Sequence, residues 1–362
     1  MVKTHIKPLT SLRFLFALMV FLSHLDFFKA GNSQFLKQLY ERIFYEGYIG
    51  VSFFFILSGF IISYNYQDRL IASPKNKINF YIARFARIYP LHFLTFLLAI
   101  PLSYQVFMQN KFLGVVQTFT NVSLTQSFIP IRQIYFSYNA PSWSLSDEMF
   151  FYMLFPFIFS LIYKEQKFKL LLIFISLISI PVSSLIIPEV YHHHLFYINP
   201  LFRIVDFLIG FYLYNIYKNF KTKRLKLNFN WLEVFAILVF IIFFSFHRQV
   251  LEVARYSYYY WLPMALIIFI FSFQKGFFSK ILSHKFLIHL GEISFGFYMF
   301  HQLILRYFLK LNERFLHWDN MILIAIMVFL LSLIISHYAY LWYEKPMNSY
   351  VKNKAKKFFI SP

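Results

Sequence analysis

Of 362 residues, 59% are hydrophobic and only 14% charged, with a mean hydropathy of +0.57, a balance that excludes a water-soluble single-core enzyme and reads as a polytopic membrane protein. Phe occurs 52 times against 9 Gly and 13 Pro, which excludes collagen-like and disordered classes, and the absence of Cys removes disulfides, thiolate metal sites and cysteine nucleophiles. The formal charge of +20 suggests an acidic partner only until the positions of the 35 Lys and Arg are considered.

A membrane-spanning helix needs about 20 mostly apolar residues. Runs of that kind occupy 9–28, 47–66, 85–104, 143–163, 169–187, 197–217, 231–246, 257–274, 287–309 and 320–343. The stretch 112–129 is also apolar, but it carries Gln117, Thr118, Thr120, Asn121, Ser123, Thr125, Gln126 and Ser127. It is therefore expected outside the span count, as a short helix or a re-entrant segment. Charge placement supports this, because short cytoplasmic loops carry excess Lys and Arg. With ten spans and both termini cytoplasmic, 23 of the 35 basic residues lie inside and nine outside. An eleventh span at 112–129 would move 16 of those 23 to the wrong face.

The expected architecture is an all-α integral membrane domain over residues 1–350, with ten transmembrane helices, followed by a basic cytoplasmic tail over 351–362. Most of the charge then reads as topology, with contact to anionic membrane lipids as a secondary effect and no nucleic-acid partner. Lys3 and Lys7 precede an apolar run as in a cleavable signal, but Arg13 interrupts it and no small-x-small site follows, so 9–28 is expected to be retained.

Ionisable groups at membrane depth are costly, and each is a candidate for function. In the first span, Arg13 and His24 are 11 residues apart, on one helical face and roughly 16 Å apart along the axis. Ala17 and Val20 lie between them, which describes one wall of a channel for a thin ligand; a snorkelling arginine and a packed histidine are the structural alternative. Gly47, Gly50, Ser58 and Gly59 in the second span suit close helix packing. Arg84 and Arg87 share a face where the third span leaves the cytoplasm and can grip phosphate, or simply anchor the helix. Glu148 enters the fourth span at the depth of His24, and a carboxylate beside an imidazole fixes its tautomer and raises its basicity. Arg203 and Asp206 are spaced as a self-neutralising structural pair. His301, in the ninth span, reaches the same layer as His24 and Glu148; a structural hydrogen bond to a backbone carbonyl is the alternative. His192, His193 and His194 lie consecutively on a loop, which does not build a tetrahedral site, so no metal is expected.

The ordered motifs Leu12-Arg13 to His24, Gly50 to Phe60, Arg84-Phe85-Ala86-Arg87-Ile88-Tyr89-Pro90, Ser142-Trp143-Ser144-Leu145 to Glu148, Arg203 to Gly210, and Gly291-Glu292-Ile293-Ser294 to His301 cover nearly the whole chain. Together they resemble the acyltransferase-3 family of bacterial membrane O-acyltransferases acting on envelope polysaccharides. The resemblance implies a ten-helix enzyme in the bacterial inner membrane that uses acyl-CoA, usually acetyl-CoA, as donor substrate with no permanently bound cofactor. The acceptor is a saccharide, free or lipid-linked. In this reading His24, Glu148 and His301 are catalytic, and Arg13, Arg84 and Arg87 bind the donor. Asp147 departs from the pattern, standing where an uncharged residue is common. No esterase-like domain follows the last span, which implies action without one. A glycan transporter would instead show inverted repeats and broken helices, and neither is legible. A non-catalytic synthase subunit would tolerate loss of His24 and Glu148.

Overall fold

The computed structural model describes residues 5–31, 33–72, 75–164, 166–223 and 227–359. Lys3, Arg224 and Lys226, counted above among the inward charges, lie outside the described residues, as does the end of the tail at 360–362. Among the described residues every regular element is helical. Each of the ten apolar runs is met by one helix: α1 Lys7–Ser23, α2 Gly50–Ala72, α3 Lys75–Gln109, α4 Trp143–Lys164, α5 Gln166–Ile186, α6 Pro200–Lys221, α7 Phe229–Phe246, α8 Tyr258–Phe271, α9 Lys285–Leu311 and α10 Met321–Ala339. A further helix, α11 Lys345–Phe359, carries most of the basic tail.

The boundaries depart from the apolar runs where local chemistry intervenes. The first run ends early as a helix, at Ser23, and resumes as a 3-10 turn at Asp26–Lys29. Among the described residues, four stretches suit a membrane crossing by length and hydropathy: Gln34–Asp68, Lys77–Gln109, Phe229–Gln249 and Met321–Phe358. A fifth is a pair, Glu189–Ile198 and Pro200–Lys221, bent by 46° at Asn199. The expectation of no broken helix is thus corrected at one point. Pro200 has no N–H to continue the preceding helix, and Asn199 caps the new one by accepting from the Leu201 N–H.

The stretch 112–129 forms a short helix, Lys111–Ser123, that ends at Leu124 in the left-handed region. Its polarity is reversed. Phe112, Val115 and Phe119 face outward, whereas Gln117, Thr120 and Asn121 are buried. The polar residues that argued against a span bind the neighbouring chain. Gln117 Nε2 donates to the Gln133 carbonyl (2.7 Å), Asn121 Nδ2 to Ser137 Oγ (2.7 Å) and Gln126 Nε2 to the Ser142 carbonyl (3.0 Å). His92 Nε2 donates to the Asn121 carbonyl (2.8 Å).

The chain divides into two compact units. The first comprises residues up to Phe16, Ile49–Ile78 and Phe150–Gly291; the second comprises Ala17–Tyr48, Asn79–Met149 and the residues from Glu292 onward. In the first, α2 and α6 touch backbone to backbone. A Cβ at Gly59 would collide with the Phe207 carbonyl and one at Gly210 with the Ile56 carbonyl, which accounts for both glycines by packing. Arg203 and Asp206 are fully buried beside this seam and pair at 2.8 Å, as their spacing predicts. Ser52 Oγ accepts from Arg203 Nη2 (2.8 Å), the Tyr256 carbonyl accepts from Nη1, and Trp261 Nε1 donates to Asp206. In the second unit, Phe21 packs on Phe297 and Phe329, both with ring centroids at 5.7 Å. Phe96, Ala99, Leu102, Tyr138 and Leu303 form a further apolar cluster there.

Candidate active site

The end of α1 determines how His24 is held. At the last turn the backbone tightens: His24 N–H donates to the Phe21 carbonyl (3.1 Å) and Leu25 N–H to the Leu22 carbonyl (3.2 Å). An α-helical turn would have used the Val20 carbonyl for the His24 N–H; here that carbonyl is released to side chains. It accepts from Ser23 Oγ (2.7 Å) and from His24 Nδ1 (2.9 Å). Tyr40 closes the corner by donating to the Ser23 carbonyl (2.7 Å).

His301 approaches from α9. Its Nε2 lies 3.2 Å from His24 Nδ1, and its Nδ1 lies 3.2 Å from the Phe297 carbonyl. A carbonyl oxygen can only accept, so both Nδ1 atoms carry the proton. His24 Nδ1–H is then shared between the Val20 carbonyl and the His301 Nε2 lone pair. His24 Nε2 is left as a bare lone pair, on a ring that is partly exposed while His301 is fully buried among Phe21, Phe297 and Tyr298. Such a pair can take one proton at His24 Nε2 and hold the resulting imidazolium with two acceptors behind it.

Among the described residues, the tautomer-fixing partner expected in Glu148 is instead the Val20 carbonyl, with His301 behind the ring. Glu148 is half-buried and Asp147 fully buried, and both act electrostatically on Tyr298, one turn before His301. The Tyr298 hydroxyl donates to the Pro141 carbonyl (3.1 Å) and lies 2.9 Å from Ser144 Oγ. Ala17 and Val20 are packed, with 0% and 2% exposure, so they do not form the open channel wall expected of them.

Arg84 and Arg87 lie one turn apart on α3. Arg87 pairs with Glu344 and sits over the Phe295 ring, 5.2 Å from its centroid. From α11, Lys352 joins them: burial, with the charges of Arg84, Arg87 and Lys356, pushes its ammonium below the ordinary lysine range. Cations held this close repel one another, and an anion bound among them relieves that cost. No spacing signal marked Lys352, since the tail reads only as a run of basic residues. Arg13, expected with this group, belongs to the first unit.

Among the described residues no group of three His, Asp or Glu is placed to hold a metal. The histidine run serves loop packing: His192 Nε2 donates to the Ile187 carbonyl (2.7 Å), and His193 rests against Tyr197 and Tyr256.

The family model of the acyltransferase domain called acyltransferase 3 matches residues 7–341. A relative is the acyltransferase MdmB of Streptomyces mycarofaciens, 35% identical over 43% of this chain and 40% of that protein. An uncharacterised protein of Haemophilus influenzae is 29% identical over 53% of this chain and 84% of its own length. A protein of Acidianus two-tailed virus, provisionally named an acetyltransferase, is 27% identical over 74% of this chain and 76% of its own. The chain thus spans less than half the length of MdmB. No solved structure matches it.

Proposed function

Because the chain belongs to the acyltransferase-3 family, we propose that it moves an acyl group, acetyl in the first instance, from cytoplasmic acyl-CoA to a hydroxyl of an envelope glycan. In this reading the ten helices cross the bacterial inner membrane with both termini cytoplasmic. The observation that supports it is the His24–His301 contact, in which the Val20 carbonyl accepts from the His24 Nδ1–H and so leaves Nε2 as the lone pair for an acceptor hydroxyl.

The acceptor hydroxyl gives its proton to His24 Nε2 as its oxygen attacks the thioester carbonyl carbon. The tetrahedral intermediate collapses, breaking the carbon–sulfur bond. The departing CoA thiolate then takes the proton back from His24, so the ester and free CoA are the only products. His301 and the Val20 carbonyl hold the imidazolium between the two transfers. A relay in which His24 Nε2 itself attacks and carries the acyl group uses the same atom. Arg84, Arg87 and Lys352 bind the phosphates of CoA, with Arg87 leaving Glu344 or sharing its second nitrogen.

The test uses detergent-purified protein, radiolabelled acetyl-CoA and envelope polysaccharide isolated from a deletion strain. Label is expected in the polysaccharide, and CoA binding is expected to weaken about tenfold or more in Arg84→Ala, since a hydrogen bond to a charged group is worth about 1.5–3 kcal/mol. A protein that binds no CoA and transfers no label is not this enzyme.

A further inference from the structure

Opposite the outer half of α9, the corner before α4 is laced to the helix at three points. Arg306 Nη1 donates to the Tyr138 carbonyl (2.6 Å), Asn139 Nδ2 to the Met299 carbonyl (2.9 Å) and Tyr298 to the Pro141 carbonyl (3.1 Å). The contact to a carbonyl fixes the Asn139 amide, because only its NH2 can donate there. Its Oδ1 therefore points the other way. Asn139 is 1% exposed, and that oxygen has no hydrogen-bond partner. Gln302 Oε1 is also buried without a partner, on a side chain that is half-buried overall. On α9, Gln302 lies on the face between Tyr298, Met299 and Arg306, the three positions to which the corner is tied. Gln302 follows His301 directly and lies one turn from both Tyr298 and Arg306.

We infer that Asn139 Oδ1 and Gln302 Oε1 form a hydrogen-bond-accepting subsite that positions hydroxyl groups of the acceptor beside the His24–His301 pair. This rests on the acyl-transfer reading above and adds to it the residues that select the acceptor. Two buried acceptors left without donors are costly, and a ligand offering two donors removes the cost. Phosphate, carboxylate and ester carbonyls offer none; sugar hydroxyls offer several. The pantetheine arm of CoA also carries N–H groups, but position along α9 separates the two. Arg87 rests on Phe295, about 9 Å before His301 at 1.5 Å per residue, whereas Asn139 is tied at Met299, about 3 Å before His301, and Gln302 directly follows it. The amide pair thus lies level with the histidines and away from the phosphate end of the donor, where the acceptor hydroxyl meets the thioester.

Gln302→Met tests this, because it removes the acceptor atom at nearly constant volume and breaks no hydrogen bond among the described residues. With deacetylated envelope polysaccharide as the probe, the KM for polysaccharide is expected to rise about tenfold. The KM for acetyl-CoA should stay within twofold, and the thermal midpoint of the ligand-free protein should hold or rise, since an unsatisfied buried amide has gone. An unchanged polysaccharide KM, or a rise confined to the acetyl-CoA KM, overturns the subsite. A wild-type protein that transfers no acetyl at all overturns the acyl-transfer reading, and the subsite with it; the comparison between variant and wild type distinguishes the two failures.

Discussion

His24→Asn is expected to lower the rate of acyl transfer by about 10²–10⁴-fold, the usual contribution of a positioned general base, while CoA binding stays near the wild-type level. Asn can still reach the Val20 carbonyl with its NH2, so the corner at Ser23 and Tyr40 keeps its geometry. What it lacks is an atom that can take and return a proton. The cations on α3 and α11 that are proposed to hold CoA are untouched, which separates loss of chemistry from loss of binding. Initial rates with saturating acetyl-CoA, together with a direct CoA titration, measure both. Wild-type rates in this variant would remove His24 from the reaction.

Arg203→Met is expected to destabilise the protein by about 3–5 kcal/mol, the cost of stranding one buried charge. Asp206 is fully buried, and its remaining neutral donor, Trp261, does not balance a carboxylate. Arg203 also ties α6 to Ser52 of α2 and to the Tyr256 carbonyl, so the substitution leaves those acceptors short as well. The double variant Arg203→Met with Asp206→Leu should recover most of the loss, because removing both charges removes the desolvation problem. Thermal unfolding in detergent of the two variants checks the sign and the recovery; equal midpoints for the single and double variants would contradict the pairing.

The helices were legible because apolar runs and charge placement are one-dimensional signals, and each of the ten runs is met by a helix. The Arg203–Asp206 pair was legible for the same reason: three residues apart on a helix is a spatial statement already. Pairings between distant segments were less so. Depth along separate spans put His24, Glu148 and His301 in one layer, yet which of the two partners touches the His24 ring depends on the rotation of α9 and on the early tightening of α1 at Ser23. Neither leaves a periodic trace. The polar residues of the stretch 112–129 are visible in the sequence, but their partners, Gln133, Ser137 and Ser142, lie across a turn that composition does not specify. Lys352 was hidden in a run of lysines, where only the fold distinguishes the one near Arg84 and Arg87 from those facing water.

The protonation pattern of His24 is the most direct measurement. Nitrogen-15 NMR of histidine-labelled, detergent-purified protein, with His24→Asn to assign the signals, should show His24 protonated at Nδ1 and bare at Nε2 at neutral pH. A ring found protonated at Nε2, with Nδ1 bare, would leave no base facing the acceptor and would contradict the assignment of His24 as the group that takes the hydroxyl proton.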